Sequence, residues 1–391
     1  MGMQGGFGGF GGFGGFGGFG GFGGFGGFGG FGGFGGFGGS GGFGGFGGFG
    51  DQNGYSPNAL IQHRDGIVGS WARPASVLPQ LPQEAVANLS LWEPWVRAEA
   101  VDFDLWSALR FGADGGGFTL WHVDVSALVA NTTVTATCKP IVKLTRPPDP
   151  SAANTFWLDQ LDIVNNWADL RQDRAEEIVT QLSPPLLYWA TVLNLNPARR
   201  RWTLELLGAA LRLANCVEMR FKHALACRRP VELSPQTQPM IPTPGHGSLP
   251  SGHATEANIV AYVLWQLVLV NESGKSRQWL EQLMRQAARV AINRTVAGVH
   301  FPVDSAAGQV LGLTLGSYFV QRATTGGSHQ GWCFDGTQFG NNSDFEWRLH
   351  YNVAGAQQAV GSSVVALGQP AAVAKAPLLA ELWDHAQAEW P

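Results

Sequence analysis

The sequence predicts a mainly α protein, a helical bundle with a low-complexity N-terminal tail. Three observations predict it. Apolar residues recur at helical spacing from Asn154 onward, as in Leu204, Leu207, Leu211, Ala214 and Val217. Pro and Gly clusters cut that stretch into segments of helix length. Residues 5–50 repeat Gly-Gly-Phe, a composition too rich in glycine to meet the entropy cost of a helix or strand core.

The elements follow in chain order. In residues 1–50, Phe stands at every third position from Phe7 to Phe49 except Ser40. Collagen has one Gly per triplet and abundant Pro, so this repeat is not collagen. It reads as a disordered tail with regularly spaced aromatic stickers, serving either self-association or linkage. Residues 51–150 are mixed. The alternating Thr132–Lys139 suggests short extended segments, the Pro-rich Arg146–Pro150 marks a boundary, and the whole is expected to wrap a helical body.

Residues 151–325 are the expected catalytic bundle. A first helix begins around Trp157, Leu158, Leu161, Ile163 and Val164, and a short apolar segment, Leu186–Leu195, follows Pro184–Pro185. Pro197 opens a long helix over Arg199–Ala226, and Pro230 blocks its continuation. After a loop through Leu233–Pro250, helices are expected from Ser251 to about Val270, over Arg277–Val296, and from Asp304 to Arg322. Residues 326–391 carry Trp332, Phe334, Phe339 and Trp347, then turn Ala- and Val-rich, and read as packing.

Composition narrows the function. A net charge of −4 gives no global basic signal for nucleic acid. Four cysteines without zinc or CxxC spacing read as buried free thiols in a reducing compartment. Ala257–Val270 and Val310–Val320 fall short of the roughly 20 apolar residues a bilayer span needs. No ordinary secretory leader is visible, so a soluble, cytoplasmic protein is expected.

The chemistry is concentrated in three motifs: Lys222-(six residues)-Arg229-Pro230, Pro250-Ser251-Gly252-His253, and Arg294-(five residues)-His300-(three residues)-Asp304. Together they supply three fixed positive charges, a hydroxyl, two imidazoles and a carboxylate. That set suits a tetrahedral oxyanion such as phosphate or vanadate. The cations match its charge, and Ser251 with the Gly252 N–H fills further oxygen contacts. One histidine bonds the central atom while the other moves protons. Ser251 is a good N-cap, and the helix it starts points free N–H groups at an anion.

In order and spacing, these motifs resemble the signature of the type 2 phosphatidic acid phosphatase and vanadium haloperoxidase superfamily, over roughly residues 150–325. The resemblance implies a helical bundle of the acid phosphatase/vanadium haloperoxidase type. It implies vanadate as cofactor, held by Lys222, Arg229, Ser251, Gly252 and Arg294, with His300 bonded to the metal and His253 as acid/base. Asp304 would orient His300, a role compatible with capping its helix. His246, seven residues before His253, matches a second histidine that bromoperoxidases of the family carry near the halide site. On a glycine-flanked loop it is equally compatible with simple solvent contact. The leading expectation is thus a vanadium-dependent haloperoxidase. Its partners would be hydrogen peroxide, a halide and a small organic acceptor, with no nucleic acid, no membrane span and a possible homodimer. The alternative is a soluble acid phosphatase that uses His300 as nucleophile through a phosphohistidine. A third reading, a self-associating scaffold on a decayed enzyme, conflicts with motifs that have lost no position.

Overall fold

The computed structural model describes residues 66–391 except 125–136, 152–153, 183–185, 270–275, 325–326, 353–354 and 391. The Gly-Gly-Phe repeat, its expected disorder, and the first part of Thr132–Lys139 lie outside the described residues. The chain divides into two compact units, Met1–Glu99 and Ala100–Pro391. In the first, a two-turn 3₁₀ segment covers Val86–Leu91. Helix α1 covers Pro94–Trp106.

The second unit is mostly helical. Its helices are α2 (Phe156–Trp167), α3 (Arg171–Thr180), α4 (Leu186–Leu193), α5 (Arg201–Leu225), α6 (Pro230–Leu233), α7 (Gly252–Leu269), α8 (Ser276–Val296), α9 (Pro302–Ala323) and α10 (Pro377–Gln387). Among the described residues five strands complete it: β1 (Leu109–Asp114), β2 (Gly117–Asp124), β3 (Thr137–Thr145), β4 (Ser328–Asp335) and β5 (Val364–Ala372). They form one sheet in the order β1-β2-β3-β4-β5. All neighbours are antiparallel except β3 and β4, which run parallel with Val142 opposite Trp332. A parallel pair cannot be closed by a tight turn. Here the connection is the helical body itself, α2 through α9.

Helix α9 is the centre of that body. Every residue from Pro302 to Gly316 is buried, as expected of a helix apolar on all sides. It packs on α7 through three glycines one turn apart. A Cβ at Gly308 would lie 2.7 Å from the Ser251 carbonyl oxygen, at Gly312 2.4 Å from that of Thr255, and at Gly316 2.9 Å from Cβ of Tyr262. Only glycine allows this approach, and the result joins the starts of α7 and α9: the Ser251 N–H donates to the Asp304 carbonyl at 2.8 Å.

The long helices match the periodicity within a few residues, and two details differ. Helix α5 ends before Pro230, because Ala226 turns left-handed at φ 51° while its N–H still reaches the Lys222 carbonyl. Pro230 instead opens α6 at a first-turn position, where a missing N–H leaves no hydrogen bond unmade. The expected loop from Leu233 also contains a 3₁₀ turn at Pro235–Thr237. The buried-thiol expectation holds for Cys227 and Cys333, while Cys138 and Cys216 are exposed. Among the described residues no helix is long and apolar enough to cross a membrane.

Candidate active site

Each motif sits at a helix end, and the helix ends converge. Lys222 lies in the last turn of α5, buried, with Nζ donating to the Pro250 carbonyl and, at 3.4 Å, to that of Ser248. Arg229 precedes α6. Its Nε donates to the His246 carbonyl at 3.0 Å and its Nη1 to that of Val299 at 2.8 Å. Arg294, near the end of α8, donates through Nη2 to Oε1 of Gln181 at 2.7 Å. All three cations are essentially buried, at 1% exposure each. Yet among the described residues none forms an ion pair with a carboxylate, and Nε and Nη1 of Arg294 have no hydrogen-bond partner. Buried donors without acceptors are costly. An oxyanion supplies the missing acceptors, so the donor set fits phosphate or vanadate.

His300 follows the left-handed turn at Gly298, φ +79°. The apolar cluster of Ile178, Ile241, Val296, Ala297 and Val299 anchors this turn. Full burial of each large side chain there contributes about 1.5–3 kcal/mol. Arg171 ties the same region together, donating to the carbonyls of Val296, Gln238 and Thr237 at 2.8–2.9 Å.

Two partners set the state of the His300 ring. Nδ1 lies 3.0 Å from Oδ2 of Asp304, and Nε2 lies 3.1 Å from Nη1 of Arg229. A guanidinium only donates, so Nε2 presents a lone pair and Nδ1 carries the proton. Burial, then Arg229, Lys222, His253 and His246, push the His300 pKa well below the usual histidine range. The ring is therefore neutral, with its Nε2 lone pair accepting from Arg229. Asp304 also accepts the Phe301 N–H at 3.0 Å and the Ser248 hydroxyl at 3.3 Å, combining helix capping with contact to His300. Its own pKa is pushed up to about 6 by burial.

His253 is the second residue of α7. Its Nε2 bonds the Gln181 carbonyl at 2.8 Å, which requires the proton on Nε2 and leaves Nδ1 to exchange protons. Burial and then Arg294 push its pKa down to about 3. Ser251, fully buried, receives the Ala254 N–H at 3.4 Å. His246 stands half-buried on its loop with Nδ1 3.1 Å from Nη2 of Arg229, so it borders the same cup. Every residue singled out in the three motifs, and His246 with them, is thus brought to one place.

Two further residues belong to this neighbourhood. Glu218, one turn before Lys222, is buried against α7, where a Cβ at Gly252 would lie 2.4 Å from its Oε1. Burial raises its pKa well above the usual carboxylate value, and its Oε2 has no partner among the described residues. An acid inside the apolar stripe of α5 was a visible signal for it. Gln181, which follows α3, had none.

The helix ends thus close a cationic cup around paired imidazoles, an arrangement whose donors suit an oxyanion. Residues 203–326 match the family model described as PAP2 superfamily, and the chain contains a domain of that superfamily. The match spans all three motifs and omits α2–α4 and all five strands of the described sheet. No curated protein matches the chain. Among solved structures it is similar to the first transmembrane PAP2 type phosphatidylglycerolphosphate phosphatase from Bacillus subtilis. That similarity has 18% identity and a TM-score of 0.36 over 44% of this chain and 90% of that one.

Proposed function

We propose that this protein is a phosphatase that hydrolyses phosphate esters through a phosphohistidine on His300. The observation that carries the proposal is the His300 ring, with Asp304 at Nδ1 and an Nε2 lone pair that meets only Arg229, among buried cations that form no ion pair among the described residues. In the first step Nε2 attacks phosphorus and the P–O ester bond breaks. Lys222, Arg229 and Arg294, with Ser251 and the Gly252 N–H, hold the phosphoryl oxygens as charge spreads over them. His253 gives a proton to the leaving oxygen. The negative charge of bound phosphate opposes the effect of Arg294 and raises the His253 pKa from its resting value into a useful range. In the second step His253 takes a proton from water, which attacks phosphorus, breaks the N–P bond and frees inorganic phosphate.

A second reading has a specific observation behind it, the contact of His246 with Arg229. Vanadate would be held by Lys222, Arg229, Ser251, Gly252 and Arg294 and bonded by His300, and when bound it supplies peroxide activation for halide oxidation. In that case His253 moves the proton and His246 borders the halide.

Purified protein assayed side by side decides between them. One arm contains a chromogenic phosphate monoester without vanadate, and the other contains vanadate, peroxide and bromide with a halogen-trapping dye. Phosphate release that vanadate inhibits supports the phosphatase. Dye bromination without ester hydrolysis replaces it with the haloperoxidase, and silence in both arms removes both.

A further inference from the structure

One residue outside the matched segment touches both the guanidinium and the acid/base of the cup. Gln181 is fully buried just beyond the last residue of α3. Its Oε1 accepts from Nη2 of Arg294 at 2.7 Å and from Nδ2 of Asn293 at 3.1 Å, and its carbonyl accepts from Nε2 of His253 at 2.8 Å. Chemistry fixes the orientation of this amide. Arg174 Nη1 can only donate, and it lies 2.9 Å from Oδ1 of Asn293. The Asn293 amide nitrogen therefore faces Gln181. Both neighbours of Oε1 are then donors, and the Gln181 nitrogen must point elsewhere. That Nε2 is buried without a partner among the described residues, as are Nε and Nη1 of Arg294.

We propose that Gln181 is a positioning residue of the oxyanion cup, fixing Arg294 through a neutral oxygen so that the guanidinium keeps its charge for the anion. A carboxylate in the same place would orient Arg294 equally well and neutralise it. The nearest acid on α3, Glu177, is engaged by Arg289 at 2.9 Å instead. The backbone carbonyl of Gln181 fixes the His253 tautomer at the same time, so the end of α3 aligns charge and proton carrier together. The proposal rests on the cup being an anion site, which inorganic phosphate probes without any assumption about turnover.

The test is calorimetric titration of the full chain with inorganic phosphate, comparing wild type with Arg294→Ala, Gln181→Glu and Gln181→Met. Arg294→Ala should weaken phosphate binding by on the order of tenfold or more. Gln181→Glu, nearly isosteric, should weaken it by about tenfold with the melting temperature kept, and by more than Gln181→Met does. A residue that only fills space gives the reverse order, because glutamate resembles glutamine more than methionine does. That reverse order overturns the proposal, as does Gln181→Glu binding phosphate within about twofold of wild type. The second comparison decides alone if Gln181→Met does not fold. Unchanged phosphate binding by Arg294→Ala would instead remove the anion-site reading beneath it.

Discussion

Arg212 in the middle of α5 and Arg294 near the end of α8 are both drawn into the helical body, but their partners differ. Arg212 meets the buried Asp102 with two contacts, Nε to Oδ2 at 2.6 Å and Nη2 to Oδ1 at 3.1 Å. Arg294 meets an amide oxygen and keeps two donor nitrogens unpartnered among the described residues. The first arrangement is self-sufficient, with geometry and charge closed within the chain. The second is closed in geometry only. Where a fold orders a cation without neutralising it, the remaining field is available to something the chain does not contain. Lys222 and Arg229 share part of that pattern: backbone carbonyls and imidazoles make their hydrogen bonds, while Glu218 and Asp304 act on them through space without an ion pair.

The sharpest way to break this comparison is at the reacting atoms. His300→Ala should lower kcat for a phosphate monoester by about 10³-fold or more, and His253→Ala by about 10²–10⁴-fold while phosphate still binds. Steady-state kinetics with phosphate inhibition reads both. Substantial turnover in His300→Ala would show that the nucleophile lies elsewhere.

A crossed pair of substitutions comes next. Arg212→Ala should destabilise the fold by about 1–3 kcal/mol, by removing the charge-assisted bonds to Asp102, and leave phosphate affinity unchanged. Arg294→Ala should do the opposite, keeping or raising the melting temperature because a buried charge with unmet donors is gone. Thermal melts beside phosphate titrations check the crossing. Equal stability losses in the two variants would end the contrast between them.

A smaller effect separates the sheet from the cup on acidification. His122 and His329, buried between the sheet and α9, are each pushed down to about 4 from 6.5, chiefly by burial. The folded state keeps them neutral while the unfolded chain protonates first. Their contribution is therefore present above pH 6.5 and lost as pH falls toward about 4. At the starts of α7 and α9 the lowered imidazoles are opposed by carboxyls that burial pushes up, Asp304 to about 6 and Glu256, one turn into α7, to about 7. Those carboxyls bind protons more readily in the folded state, so acid favours it there. Amide protection, corrected for the intrinsic pH dependence of exchange, should fall from pH 7 to pH 5 in β2 and β4 more than at the starts of α7 and α9. A uniform fall in protection would contradict this.

The smallest effect is expected at His246. His246→Ala should change KM for a phosphate ester by about two- to fivefold with kcat nearly kept, since Arg229 retains its carbonyl partners. A halide preference that shifts in the bromide assay would instead favour the peroxidase reading.

Much of the cup was legible in the sequence, because oxyanion binding needs particular side chains at helix ends, and helix ends carry local signals. Ser251, Pro230 and the apolar periods of the helical stretch from Asn154 onward were such signals. The pairing of β3 with β4 was not legible, since strand partners nearly two hundred residues apart share no local pattern. Gln181 was hidden for another reason. Its task depends on where α3 stops and on which amide atom faces Arg294, and neither is written in residue spacing. Glu218 stood in plain view, although a lone acid on an apolar face is ambiguous until the residue packed against it, here Gly252, is known.

The parallel seam also orders events in time. Val142 cannot meet Trp332 until the whole helical body between them has left the ribosome and collapsed. Such distant contacts raise contact order and slow the search. The β1–β2–β3 hairpins can form early from local pairs, but β3 then waits as an open edge, prone to join the wrong strand until β4 arrives. Newly made chains should accordingly be most prone to aggregate in the interval after β3 emerges and before the segment around Trp332 does.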